Sequence, residues 1–122
     1  MHTVLVIDDN IAVLSTLIFL LEEEGYHVVT AKNGHAGVRI YRSAQPDLVI
    51  ADLIMPEQGG IQTIQEIKRL CPDAKIIAIS GGARIGTTDP LEAAREVGAT
   101  KTLAKPLDPD DFIETVNAVL AA

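Results

Sequence analysis

The sequence predicts a doubly wound α/β domain, a five-stranded parallel sheet with five helices laid over its two faces. Two observations predict it. Five short apolar runs, most of them β-branched, alternate with five stretches whose apolar residues recur at helical spacing. The alternation is unbroken, so each strand returns to the sheet through a helix, with right-handed crossovers expected.

The first strand is expected at residues 4–7, reading VLVI. Leu14, Leu17, Ile18 and Leu21 then mark one helical face, and Glu22 to Glu24 read as its solvated end. A second strand at 27–31 leads into a weaker helical pattern over 34–43. The third strand, 48–51, precedes a helix marked by Ile64, Ile67 and Cys71. The fourth, 76–79, is followed by a helical pattern over 90–97, with Asp89 as N-cap and Pro90 at the first helical position. The fifth, 101–104, leads to a last helix carrying Phe112, Val116, Val119 and Leu120. Gly25, Gly60 and Gly98 stand where turns at helix edges are expected. With no repeat, linker or low-complexity tract, residues 1–122 are expected to form one domain.

Composition excludes several classes. At 122 residues and 48% hydrophobic, the chain can build a core without staples, and the lone Cys71 reads as a packing residue. The start, MHTVLVIDD, lacks the features of a secretory signal, and the apolar stretch 11–21 is too short to span a bilayer. A cytoplasmic protein with no membrane association is expected. A net charge of −7, with no compact Lys/Arg cluster, argues against direct nucleic-acid binding.

In sheets of this kind, function gathers at the carboxyl ends of the strands. There the sequence places Asp8 and Asp9 after the first strand, Asp52 after the third, Ser80 after the fourth and Lys105 after the fifth. Three neighbouring carboxylates repel one another, and a hard divalent cation with oxygen ligands, Mg²⁺ above all, is the simplest compensation. Such a cation keeps positions open for phosphate oxygens, and Lys105 adds a second positive charge. Asp can attack phosphorus to give an aspartyl phosphate, and the hydroxyl of Ser80 can donate to a phosphoryl oxygen.

These residues make the chain resemble the receiver domain of bacterial response regulators from end to end. The match lies in the acidic pair at Asp8 and Asp9, in DLIMP from Asp52 to Pro56 with Gly60 closing the loop, in Ser80 followed by small residues, and in Lys105-Pro106. The resemblance implies the flavodoxin-like strand order 2-1-3-4-5. It also implies Asp52 as phosphoacceptor, and Asp8 and Asp9 as holders of Mg²⁺, one of them through water. Ile54 would offer its backbone carbonyl to the metal, Ser80 and Lys105 would contact the phosphoryl group, and the peptide bond before Pro106 would be cis. The implied partners are a sensor histidine kinase or histidine phosphotransfer protein, and an unidentified downstream protein or effector domain. The chain would be a phosphoacceptor that assists its own phosphorylation and dephosphorylation, rather than an enzyme.

Singly, each residue has a plainer reading. Asp9 or Asn10 can cap the first helix, Lys105 can be a solvated lysine, and Ser80 with Gly81 and Gly82 can be an ordinary turn. Together they would require five coincidences. His2, His27 and His35 have no metal-ligand spacing and read as surface residues, and GGARIG lacks the lysine and context of a phosphate-binding loop. A flavin-binding domain would need a hydroxyl- and glycine-rich loop where this chain has carboxylates, and an aspartate-based phosphatase a second Asp where it has Ile54. Receivers usually carry an aromatic residue shortly before the Lys-Pro pair, where this sequence has Thr102. That shifts attention to the glycine-rich stretch SGGARIGTTDP as the expected moving part.

Overall fold

The computed structural model describes residues 2–55, 59–81 and 89–122. Strands β1 (Thr3–Ile7), β2 (His27–Ala31), β3 (Leu48–Asp52), β4 (Ile76–Ser80) and β5 (Lys101–Ala104) form one parallel sheet in the order 2-1-3-4-5. Helices α1 (Ile11–Glu23), α2 (Gly34–Ala44), α3 (Gly60–Leu70), α4 (Pro90–Glu96) and α5 (Pro109–Ala121) alternate with them. The doubly wound α/β expectation holds in element type and number.

Burial explains why the central strands read as continuous apolar runs. Every residue of β3 and β4 is buried, because helices cover both faces, whereas the edge strands β2 and β5 are only partly buried. Alternate side chains feed two cores. Leu5, Ile7, Val49 and Ile76 meet Ile64 and Ile67 of α3 on one face, with α2 and α4 beside them. Val4, Val6 and Ile50 meet Leu17 and Leu21 of α1 and Phe112 and Val116 of α5 on the other. Each fully buried Leu or Ile stabilises the fold by roughly 2 kcal/mol over its exposed state. Of the residues expected on the buried helix faces, Ile18 and Leu120 are only half-buried, at the margin of the second core.

Helix starts are written in side chains. Asn10, Asn33, Asp89 and Asp108 each accept backbone N–H bonds as N-caps, and Pro90 and Pro109 occupy the first helical turn. Between Asp9 and Asn10, the structure gives the cap of α1 to Asn10. Helix α3 has no side-chain cap and starts from Gly59. Its first residue, Gly60, lies so close to the end of β3 that an added Cβ would fall 2.4 Å from the Asp52 carbonyl oxygen and 2.6 Å from Leu53 Cα. Only glycine lets the helix approach the strand this closely. Cys71 lies one residue past α3 as its C-cap, half-buried against the first core.

Three strands run one residue longer than expected, and two of the added residues matter. Asp52 and Ser80 are the last ladder residues of β3 and β4, paired with Ile79 and Ala104 respectively, rather than loop residues beyond the strands. Their backbones therefore share the rigidity of the sheet.

Candidate functional site

The carboxyl edge of the sheet brings together residues far apart in sequence. Just after β1, Asp8 donates its backbone N–H to the Ala31 carbonyl of β2 at 3.1 Å and is 2% exposed. One of its carboxylate oxygens accepts the Asn10 backbone N–H at 2.9 Å, which leaves the other, Oδ2, for the cleft. Asn10 thus does two things: its side chain caps α1 and its peptide orients Asp8. Sequence reasoning offered only the first, although an Asx residue directly behind an acidic pair is the available signal.

Asp52 is 6% exposed and is held in the same way: Oδ1 accepts the Ile54 backbone N–H at 3.2 Å. Lys105 stands opposite, its ammonium 3.5 Å from Asp52 Oδ2 and 3.7 Å from Asp8 Oδ2. Its backbone N–H donates to the Ser80 carbonyl at 2.7 Å, which ties the end of β5 to β4, and the Lys105-Pro106 peptide is cis. Ser80 is fully buried beside this bond. Asp9 is exposed on the rim. The cleft is lined by Asp9, Asn10, Asp52, Ile54, Gly81 and Lys105, so Ile54, 48% exposed, is an apolar side chain at an otherwise polar mouth.

Electrostatics follow from the geometry. Burial first, and then the Asp8 carboxylate, raise the Asp52 carboxyl above its ordinary pKa, while the Ile54 N–H and Lys105 pull it back. Asp8, Asp9 and Asp52 each offer a carboxylate oxygen, and these oxygens lie within 4.8 Å of one another. Three negative charges face one ammonium. A set of hard oxygen donors with a surplus of negative charge fits a divalent cation such as Mg²⁺, which tolerates few protein ligands and keeps open positions. The residues present fit such an ion.

The structure thus brings Asp8, Asp9, Asp52, Ile54, Ser80 and Lys105 to one edge. Pro56, and the stretch 82–88 within the expected moving loop, lie outside the described residues. The histidines His2, His27 and His35 are exposed and apart from the cleft, as expected. Thr102, standing where an aromatic residue is usual, has a partner the sequence did not reveal: Arg95 of α4 donates to its hydroxyl at 2.8 Å.

Comparison with known proteins agrees with this arrangement. Residues 4–117 match the response regulator receiver domain family. The chain is 33% identical to protein PilH of Pseudomonas aeruginosa over 99% of both chains, and 35% identical to the chemotaxis protein CheY of Thermotoga maritima over 95% of both. Among solved structures, a receiver domain protein from Clostridium thermocellum superposes with a TM-score of 0.90 at 32% identity, covering 99% of this chain and 95% of that one. No described helix is long and apolar enough to cross a membrane. By fold, site and sequence, the chain belongs to the response regulator receiver domains, phosphorylation-dependent modules of two-component signalling rather than enzymes in the usual sense.

Proposed function

We propose that Asp52 is the phosphoacceptor, that Asp8, Asp9 and Asp52 with the Ile54 backbone carbonyl hold Mg²⁺, and that Ser80 and Lys105 bind the phosphoryl group. The observation that supports this best is the shared contact of Lys105 with both buried carboxylates, 3.7 Å to Asp8 and 3.5 Å to Asp52. It puts a positive charge where an incoming phosphoryl group carries its negative oxygens. The Mg²⁺ ion supplies neutralisation of phosphoryl charge when bound. Asp52 Oδ2 attacks phosphorus, the bond from phosphorus to the donor breaks, and the donor leaves with that electron pair. The Ile54 N–H keeps the other oxygen fixed, so the carboxylate presents one oxygen without having to reorient. Lys105 then leaves the free carboxylate for the phosphoryl oxygens, joined by the hydroxyl of Ser80.

Receiver domains take their phosphoryl group from histidine kinases or phosphotransfer proteins and act on downstream effectors. An apolar groove lined by Val13, Leu17, Leu20 and Leu107 also carries Asn10 and Lys105 of the cleft on its wall. We assign it to a helix of the phosphodonor, which would lie there with its phosphohistidine over Asp52. A cytoplasmic setting, with residues 1–122 working as one receiver unit, accords with this role.

Intact mass after incubation with Mg²⁺ and acetyl phosphate tests the chemistry. The expected result is one added phosphoryl group, lost in Asp52→Asn and on chelation of the metal. Equal labelling of the Asp52→Asn variant would overturn the assignment.

A further inference from the structure

The strongest feature outside the cleft is a cationic face on α2. Residues 25–46 contain Lys32, Arg39 and Arg42 and no Asp or Glu. The whole chain carries −7 and this segment +3, so the remainder carries −10. Lys32 stands just before the Asn33 cap, and His35, Arg39 and Arg42 follow at spacings of four and three residues, which places those three on one side of the helix. All four side chains are exposed, and none makes a hydrogen bond or ion pair among the described residues.

This placement works against the stability of the helix. Arg39 and Arg42 are like charges one turn apart, and the first turn of α2 has no acidic residue while Lys32 sits at its positive end. Local preferences broken without compensation mark positions kept for something else. The opposite face of α2 explains its structural role, since Gly34, Gly37 and Val38 are buried against the sheet and an added Cβ on Gly37 would meet Ile7 at 2.5 Å.

We propose that the α2 face formed by Lys32, Arg39 and Arg42 docks an acidic helical segment of a partner protein. From His35 to Arg42 the face spans about 10 Å, so carboxylates one and two turns apart on a partner helix match it. A nucleic acid fits less well, because its continuous phosphate backbone would run into the −10 charge of the remaining surface. A membrane also fits less well, since the exposed α2 residues His35, Arg39, Arg42, Ser43 and Ala44 offer no large apolar anchor. A second copy of the chain offers such a spacing on α4, at Asp89, Glu92 and Glu96, but it fits less well: Asp89 is engaged as the helix cap, accepting the Leu91 N–H at 3.1 Å, and Arg95 sets a like charge on the same short helix.

The test is a titration of the full chain, isotope-labelled, with a helical alanine-rich peptide of about 20 residues carrying Glu at alternating spacings of four and three. The Glu→Gln version of that peptide is the control. Amide shifts confined to residues 32–44 are expected, together with loss of binding on adding salt. The triple variant Lys32→Gln, Arg39→Gln, Arg42→Gln should weaken binding by about tenfold or more while still taking up phosphate on Asp52. The single variant Arg39→Gln, expected to weaken it by a smaller factor, serves if the triple variant does not fold. Unchanged affinity in the variants, or shifts spread over other faces, would overturn the proposal. Tighter binding of a polyuridylate or an anionic phosphatidylglycerol vesicle would overturn it too, as would self-association that the triple variant abolishes.

Discussion

The ammonium of Lys105 lies 3.5 Å from Asp52 Oδ2, across a cleft that holds two more carboxylates. Lys105 is the only ammonium or guanidinium shown paired with an Asp or Glu carboxylate among the described residues. Replacing it with an uncharged side chain of similar length, Lys105→Met, removes the charge that lowers the Asp52 carboxyl and that would meet the phosphoryl oxygens. Phosphorylation by acetyl phosphate is expected to slow roughly 100-fold, the scale of removing one stabilising donor from a reaction centre. Initial rates by phosphate-affinity electrophoresis would show it, and a rate within twofold of the parent would argue against a direct role.

Asp52 makes stability depend on pH in a defined direction. Its pKa is raised above 3.8 by burial and by Asp8, so the folded protein holds this proton more tightly than the unfolded chain does. In metal-free protein, this group is without penalty below about pH 4, and its ionisation costs stability progressively as pH rises through the elevated folded value. Asp52→Asn has no such ionisation. The variant is expected to be the more stable protein at pH 7, with the gap closing toward pH 4. Urea unfolding in the presence of a chelator at the two pH values measures both. A gap that widened on acidification would contradict the sign.

Metal should offset that penalty in the parent. A divalent cation bound by Asp8, Asp9 and Asp52 in the folded protein adds about 1.4 kcal/mol when present at ten times its dissociation constant. Thermal melts are therefore expected to shift upward with Mg²⁺ in the parent and hardly at all in the double variant Asp8→Asn, Asp9→Asn. An equal Mg²⁺ shift in both proteins would place the cation elsewhere.

How far the sequence could be read depended on range. Strands and helices followed from local spacing, because buried parallel strands and amphipathic helices leave periodic signals, and the caps Asp89 and Pro90 fixed the start of α4. The site residues stood out because strand ends converge in a parallel sheet, so Asp8, Asp52, Ser80 and Lys105 could be grouped across nearly the whole chain. What stayed hidden were contacts set by tertiary approach alone. Nothing near Thr102 in sequence announces the guanidinium of Arg95 seven residues earlier. The split of duties between Asp9 and Asn10 was equally illegible, since both residue types cap helices well and only the chain path decides which one meets the first turn of α1.

Gly60 shows how tightly the helix layer and the site are joined. Its N–H donates to the Leu53 carbonyl at 3.2 Å, and the space its missing side chain would need is filled by backbone: Asp52 O at 2.4 Å and Leu53 Cα at 2.6 Å. Backbone cannot swing aside as a flexible side chain can, so Gly60→Ala must push α3 away from β3 or bend the end of that strand. The expected cost is roughly 2 kcal/mol of stability, in the range of overpacked cores, in spite of alanine being the better helix former. The displacement falls on the peptide that follows Asp52, whose neighbour Ile54 N–H orients the carboxylate, so phosphorylation should slow as well. Unfolding curves and labelling rates for Gly60→Ala, set beside an exposed control on the same helix such as Gln65→Ala, separate this local effect from a general one. Parent-like stability and rate in Gly60→Ala would mean that the helix can recede freely and that the close approach of α3 does not hold Asp52 in place.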